Sequence, residues 1–383
     1  MKNIFRIVLI ITYCIIIAVS LTSCDNETPG LQSQPGSEPN GISNSEIPSK
    51  LSSESSKPNI SGKGDLWADR KLKVGLVGPG AAGEWSLVLN NNLKTKAWKW
   101  DIDLYQNSDP ARMGQIYSIE KFIENEMDII ALYTYNYYNE SSWDEELEIY
   151  NYYSWDEVLK KAREAGIPVI LVDRRICCED KSLWKTLIIN DYYKQGQMAG
   201  EWLIDNLEKG ERIDKEIKIA ELRGTEDSYE AQEIGNGFKE TIKDYSNIDI
   251  TISKDGYFLE NSAYEEMLNI LSETTDIDVL FCHNDDMALG AIQAIEEAGL
   301  VPGEDIIIIS IMGTNAALEA IVDGKIACSV ECNPMMGDLF MEACVRLANG
   351  ETIEREIHPV DRMFDITNAQ AELDTRAKNG YGY

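Results

Sequence analysis

The stretch SWDEVLKKAREAGIPVILVDR, residues 154–174, decides the fold. Apolar residues recur at helical spacing from Ser154 to Ala165, and Gly166 closes the helix. The continuous apolar run from Pro168 to Val172 then reads as a buried strand ending on Asp173 and Arg174. A helix feeding straight into a buried strand is the repeating unit of a parallel sheet wrapped by helices. The alternation extends in both directions. Toward the N-terminus, Leu72 to Val77, Trp100 to Tyr105 and Met127 to Tyr133 read as strands, separated by helices over Trp85 to Ala97 and Arg112 to Glu126. Toward the C-terminus, helices over Asp191 to Leu207, Tyr229 to Ile242, Asn261 to Glu273 and Asp285 to Ala298 alternate with strands over Ile217 to Leu222, Ile248 to Ser253, Val279 to Cys282 and Ile306 to Ile311. Two such series in one chain predict an α/β protein of two similar lobes.

The first 24 residues differ in kind. Lys2 and Arg6 precede an apolar run from Ile7 to Val19, which Leu21-Thr22-Ser23-Cys24 follows. The segment reads as a signal peptide, residues 1–24, cleaved before a lipid-accepting Cys24. A single spanning helix is the competing reading, but the run is shorter than the roughly 18 residues that signal one, and no basic cluster follows it. Acyl chains, at about 0.8 kcal/mol per buried methylene, anchor a protein without a span. Residues 25–66 are rich in Ser, Pro, Asn and Gly, bury too little to offset ordering entropy, and read as a disordered linker. What remains has room for two lobes and, in a chain 44% hydrophobic, enough apolar side chains for a full core.

A formal net charge of −31 argues against nucleic acid as a partner, since phosphate contacts need clustered Lys and Arg. It favours a neutral ligand over an anionic one. The cysteines beyond the export signal, Cys177, Cys178, Cys282, Cys328, Cys332 and Cys344, have no metal-binding spacing, and their pairing is not readable from sequence. Those lying in apolar stretches read as small core residues. His283 and His358 are the only histidines, neither beside a nucleophile motif, so no catalytic constellation emerges. Gly78, Gly80 and Gly83 fit a dinucleotide-loop pattern, but no acidic residue ends the next strand at Tyr105 or Gln106. The chain is read as a protein without cofactor or metal, and not as an enzyme.

Ligands of parallel sheets bind where loops leave the carboxyl ends of strands. Trp85 stands after the first strand, where its flat face suits a sugar ring or the core. Asp173 and Arg174 supply an acceptor and a fork of donors, fitting either vicinal hydroxyls or a structural ion pair. Asn284 is a ligand contact or the N-cap of the helix from Asp285. Gln232 and Phe258 are further candidates, with an exposed helix face and a core aromatic as their alternatives. The connection between Tyr133 and Ser154 is long for this architecture and holds a tandem echo of Tyr-Asn-Tyr-Tyr and Ser-Trp-Asp-Glu. This insertion, residues 135–153, is either a pocket rim or a surface excursion.

From about Lys73 onward the chain resembles type 1 periplasmic sugar-binding proteins, the substrate-binding components of ABC importers, with galactofuranose binders nearer than ribose binders. The resemblance is carried by residues 167–174 (IPVILVDR), 221–225 (ELRGT) and 283–295 (HNDDMALGAIQAI). It implies two Rossmann-like lobes joined by a three-strand hinge near Ile189-Asn190, Cys332-Asn333 and Pro359. One lobe is expected over 67–189 plus 334–358, the other over 190–333 plus 359–383. By matched position it assigns ligand contact to Trp85, Ser86, Asp173, Arg174, Gln232, Phe258 and Asn284. Met312 stands where the family usually has an aspartate, Gln232 where ribose binders have arginine, and Cys332 where they have glutamine. The implied function is a lipid-anchored, monomeric extracytoplasmic receptor that captures a sugar between the lobes and delivers it to a membrane permease. A sensory receptor serving a membrane kinase or chemoreceptor is the alternative, and a glycosidase would be revealed by turnover.

Overall fold

A computed structural model describes residues 70–78, 83–109, 112–134, 155–176, 178–226 and 228–383. The signal segment with Cys24, the linker, Gly80, Cys177 and the insertion 135–153 lie outside the described residues. Among the described residues, no helix is long and apolar enough to cross a membrane.

The alternation builds two six-stranded sheets. The first contains β1 (Lys73–Gly78), β2 (Asp103–Ser108), β3 (Ile129–Leu132), β4 (Val169–Val172), β5 (Thr186–Ile188) and β11 (Glu356–Ile357). The second contains β6 (Ile217–Arg223), β7 (Ile248–Asp255), β8 (Val279–Cys282), β9 (Ile307–Met312), β10 (Cys328–Glu331) and β12 (Met363–Asp365). Their orders are β11-β5-β4-β3-β1-β2 and β12-β10-β9-β8-β6-β7, and β12 against β10 is the one antiparallel pairing among them. Every residue of β3, β4 and β8 is buried, as helices on both faces require.

The helices are α1 (Glu84–Lys99), α2 (Arg112–Glu124), α3 (Trp155–Glu164), α4 (Tyr192–Lys209), α5 (Tyr229–Ile242), α6 (Glu260–Glu273), α7 (Asp285–Glu297), α8 (Asn315–Val322), α9 (Gly337–Ala348) and α10 (Ala369–Asn379). Side-chain caps fix several starts: Asp191, Ser228, Asn284 and Thr314 each accept a backbone N–H of the first turn. Helices α4 and α5 meet backbone to backbone through glycine. A Cβ at Gly196 would lie 2.0 Å from Ile234 O, and one at Gly237 2.0 Å from Tyr193 O.

The chain passes between the sheets three times: after β5, after β10, and between β11 and β12. One apolar cluster follows these crossings, joining Leu187 and Ile189 to Ile219, Phe238 and Phe281. Rings of Phe238 and Phe281 stack with centroids 4.1 Å apart.

Several elements depart from expectation. The strand expected from Trp100 begins at Asp103, because Trp100 caps α1 and Asp101 takes φ +58. Helix α9 starts only at Gly337, after a turn in which Asn333 Oδ1 accepts from Met335 N at 2.8 Å. Strands β5, β10, β11 and β12 span only two to four residues each, too few for a periodicity to show.

Candidate binding site

The residues that follow the strands at their carboxyl ends gather where the two sheets meet. Asp173 sits just beyond β4. Its N–H donates to Ile188 O at 2.7 Å, and Arg174 N donates to Val172 O at 2.7 Å, closing a γ-turn with Asp173 at φ +62. Such strained backbone persists where its surroundings over-determine it. The turn buries the Asp173 carboxyl. Arg174 Nε lies 3.1 Å from Oδ2, an ion-pair distance without hydrogen-bond alignment, so Oδ2 keeps an unfilled acceptor. Burial raises the Asp173 pKa, with Arg174 opposing it, Glu230 adding to the rise, and the Tyr133 hydroxyl bonding the carboxylate.

Arg174 reaches across to the second sheet's helices, its Nη1 lying 2.6 Å from Glu230 Oε1 on α5. Arg175 makes a parallel crossing. Its guanidinium holds Glu356 of β11 with two bonds of 2.8 Å, donates to the Tyr229 hydroxyl at 2.9 Å, and stacks on that ring 4.4 Å from its centroid. Trp85, at the start of α1, donates from Nε1 to Cys332 O at 2.6 Å, tying the first lobe to the second crossing. Cys332 and Tyr192 are both buried, and burial lifts the pKa of each well above its ordinary value, so both stay neutral. Ser86 closes the α1 entrance, accepting from Gly83 N at 3.0 Å and donating to Gly83 O at 2.9 Å.

On the second lobe, Asn284 uses both ends of its amide. Oδ1 accepts from Met287 N at 3.0 Å and Nδ2 donates to Phe258 O at 3.1 Å. It therefore caps α7 and also fixes the loop in which Tyr257 and Phe258 both take positive φ. The Phe258 ring covers Gly224, where a Cβ would lie 2.0 Å from Phe258 Cζ. Met312 ends β9 half-buried at φ +127, and its carbonyl accepts from Cys332 N at 3.1 Å. Gln232 is exposed, two residues and so about 200° around α5 from Glu230, and its amide reaches Glu226 O at 3.5 Å.

Direct contacts thus bring Asp173, Arg174 and Trp85 to the junction. Phe258 and Asn284 form a coupled pair on the second lobe, while Gln232 stays on an outer helix face. Sequence reasoning missed Glu230, Tyr133, Arg175 and Tyr192. Glu230 had a signal available: a carboxylate two residues after the helix-capping Ser228, in the first turn of the helix that follows β6. His283 is fully buried with Nε2 3.2 Å from Glu221 Oε1, a structural place at a strand end, and burial lowers its pKa.

The third crossing holds a half-buried acid. Asp361 Oδ1 accepts from Asn333 N at 3.0 Å, and its Oδ2 accepts from Gln195 Nε2 at 2.8 Å, linking two crossings to α4. Burial pushes the Asp361 carboxyl up to about 7, against those two bonds.

A family model described as a periplasmic binding protein domain matches residues 151–352. The galactofuranose-binding protein YtfQ of Escherichia coli (strain K12) is 30% identical over 315 residues, covering 81% of this chain and 93% of its own. The ribose import binding protein RbsB of Bacillus subtilis (strain 168) is 32% identical over 200 residues, covering 52% of this chain and 61% of its own. Among solved structures, a galactofuranose binding protein superposes with TM-score 0.66 at 31% identity, covering 81% of this chain and 100% of the other. A Mycobacterium smegmatis protein in complex with β-D-fucofuranose gives 0.65 at 32% identity, covering 80% and 96%. With two mostly parallel sheets, three crossings and strand-end residues converging between them, this chain belongs to the periplasmic binding protein family, two-lobed proteins that bind rather than catalyse.

Proposed function

We propose that the protein captures a neutral sugar between its lobes and hands it to the permease of an ABC importer. The observation that carries this reading is the buried Asp173 carboxyl with an open acceptor at Oδ2, set beside the Arg174 guanidinium where both lobes contribute. An acceptor and a fork of donors side by side match vicinal hydroxyls, and a galactofuranose binder and a fucofuranose complex are among the similar proteins. Trp85 and Phe258 supply flat faces, one from each lobe, for the apolar side of the ring. Ser86 and Asn284 act by holding the two loops in place, and Met312 narrows the second lobe's contribution to an apolar wall. Gln232 lies at the margin of the site.

Capture stabilises the closed arrangement because a ligand touching both lobes favours the state in which both touch it. The lobes are taken as 67–189 plus 334–358 and 190–333 plus 359–383, tethered by acyl chains on Cys24 through the 25–66 linker, in a monomer. A thermal-shift panel of pentoses and hexoses that favour furanose or pyranose rings, followed by calorimetry, tests the reading. One-to-one binding without product supports it. No shift with any sugar, or turnover of a glycoside, overturns it.

A further inference from the structure

The first crossing carries a polar side chain that the fold itself leaves unused. Asn190 lies two residues beyond β5, and its backbone surroundings are fixed on both sides. Ile189 N donates to Ile357 O at 3.1 Å, and Ile189 O accepts from His358 Nδ1 at 2.8 Å. One residue later, Asp191 caps α4 by accepting from Lys194 N at 3.0 Å. Between these anchors Asn190 is 1% exposed, and neither Oδ1 nor Nδ2 has a hydrogen-bond partner among the described residues. A buried amide with both ends unmet is a costly arrangement that native structures retain for a reason.

Its position supplies the reason. Strands β4 and β5 run parallel with Val172 opposite Ile188. The contact runs one step further, Asp173 N donating to Ile188 O at 2.7 Å, and Asn190 lies two residues beyond that point on the β5 side, while Asp173 Oδ2 is also buried, with Arg174 Nε at 3.1 Å but no hydrogen bond. Two adjacent strand ends therefore carry three buried polar atoms that lack a hydrogen bond, at the first crossing: Asp173 Oδ2, Asn190 Oδ1 and Asn190 Nδ2. A hydroxyl is donor and acceptor at once, and neighbouring ring hydroxyls satisfy such a set completely. We infer that Asn190 is a specificity-determining contact that reads a ring hydroxyl adjacent to the one held by Asp173. This deepens the proposed sugar-binding function and rests on it. A purely structural amide, satisfied by a trapped water, is the competing role.

Calorimetry on the full chain, wild type and Asn190→Ala, with D-galactose, L-arabinose, D-fructose and D-ribose and their monodeoxy analogues, separates the two. For whichever parent sugar the wild type binds, Asn190→Ala is expected to lose tenfold or more in affinity. The loss shrinks to threefold or less for the one monodeoxy analogue lacking the hydroxyl that Asn190 reads, and the ligand-free melting temperature holds or rises. Isosteric Asn190→Asp, which keeps an acceptor and lacks the donor, carries the same test should the alanine variant fail to fold. If affinity ratios between parent and every deoxy analogue match the wild type, Asn190 is structural and the inference fails, whatever the melting temperature does. If the wild type binds none of these sugars, the carbohydrate reading falls first and this one with it.

Discussion

Arg174 of the first lobe and Glu230 of the second face each other at 2.6 Å, so the donor fork proposed for the ligand also has a carboxylate partner across the junction. The pair is mostly shielded from solvent, with Glu230 buried and Arg174 partly so. A sugar that takes Arg174 must offer it bonds at least as good. Under the proposed reading the pair favours the closed arrangement and sets a threshold that a ligand's bonds to Arg174 must pass. Glu230→Gln removes the charge and keeps the shape. It should weaken the ligand-free association of the lobes by about 1 kcal/mol, a shift of roughly fivefold in population. Small-angle scattering should show a larger radius of gyration for the ligand-free variant and an unchanged one for the ligand-bound form. An unchanged ligand-free profile would mean that the pair does not bias closure.

Asp173→Ala deletes a buried acceptor and leaves Arg174 and Tyr133 with a lost partner. With roughly 1–3 kcal/mol at stake for an unpaired buried group, affinity for the best sugar of the panel should fall between about fivefold and a hundredfold. The far-ultraviolet dichroism should not change. Titration calorimetry reads the first and circular dichroism the second, and wild-type affinity would remove Asp173 from the site.

Gly224→Ala probes the second lobe through packing, without removing a hydrogen-bonding group. The added methyl would meet three atoms of the Phe258 ring within 2.5 Å, and the ring must swing away. Because Asn284 pins the Phe258 carbonyl, the backbone cannot simply follow. Affinity should drop about tenfold, in keeping with a strain of 1–3 kcal/mol, while Phe258→Ala in the same background should add little further loss. Additive losses from the two changes would show that Phe258 is not the wall displaced.

Asp361 makes the hinge sensitive to pH. Its folded-state pKa is about 7, above the ordinary value of 3.8, so between those limits the folded chain holds a proton that the unfolded chain has released. Stability from this group is fully present near pH 4 and is lost as pH rises through 7, by an amount on the order of a few kcal/mol. Protonation gives Asp361 a donor, and Gln195 Oε1, buried and unpartnered, becomes its acceptor once the Gln195 amide turns over. Asp361→Asn cannot titrate. Melting temperatures recorded from pH 5 to 8 should decline more steeply for the wild type than for Asp361→Asn. Parallel curves would place the titration elsewhere.

Much of this molecule is legible along the chain. The strands β3, β4 and β8 announce themselves as unbroken apolar runs because burial on both faces demands them. The helix over Tyr229–Ile242 matches its expected limits because Ser228 caps it. Site residues were legible in part, and for a related reason: a residue just past a buried strand must lie at a sheet's carboxyl edge, so Asp173, Arg174 and Asn284 could be singled out. The side chain of Asn284 does double structural duty, which its residue type alone could not show.

The sequence by itself determined the two alternating series, and with them two helix-covered sheets whose strand ends carry the polar residues. Local periodicity and capping act over a few residues and leave their mark on neighbouring letters. Only the tertiary structure decided that Arg174 meets Glu230, that Trp85 reaches Cys332, and that Asn190 is left with nothing to bond. Those outcomes depend on three crossings that bring together residues 56 and 247 positions apart, and no local rule records which distant partner a side chain will find.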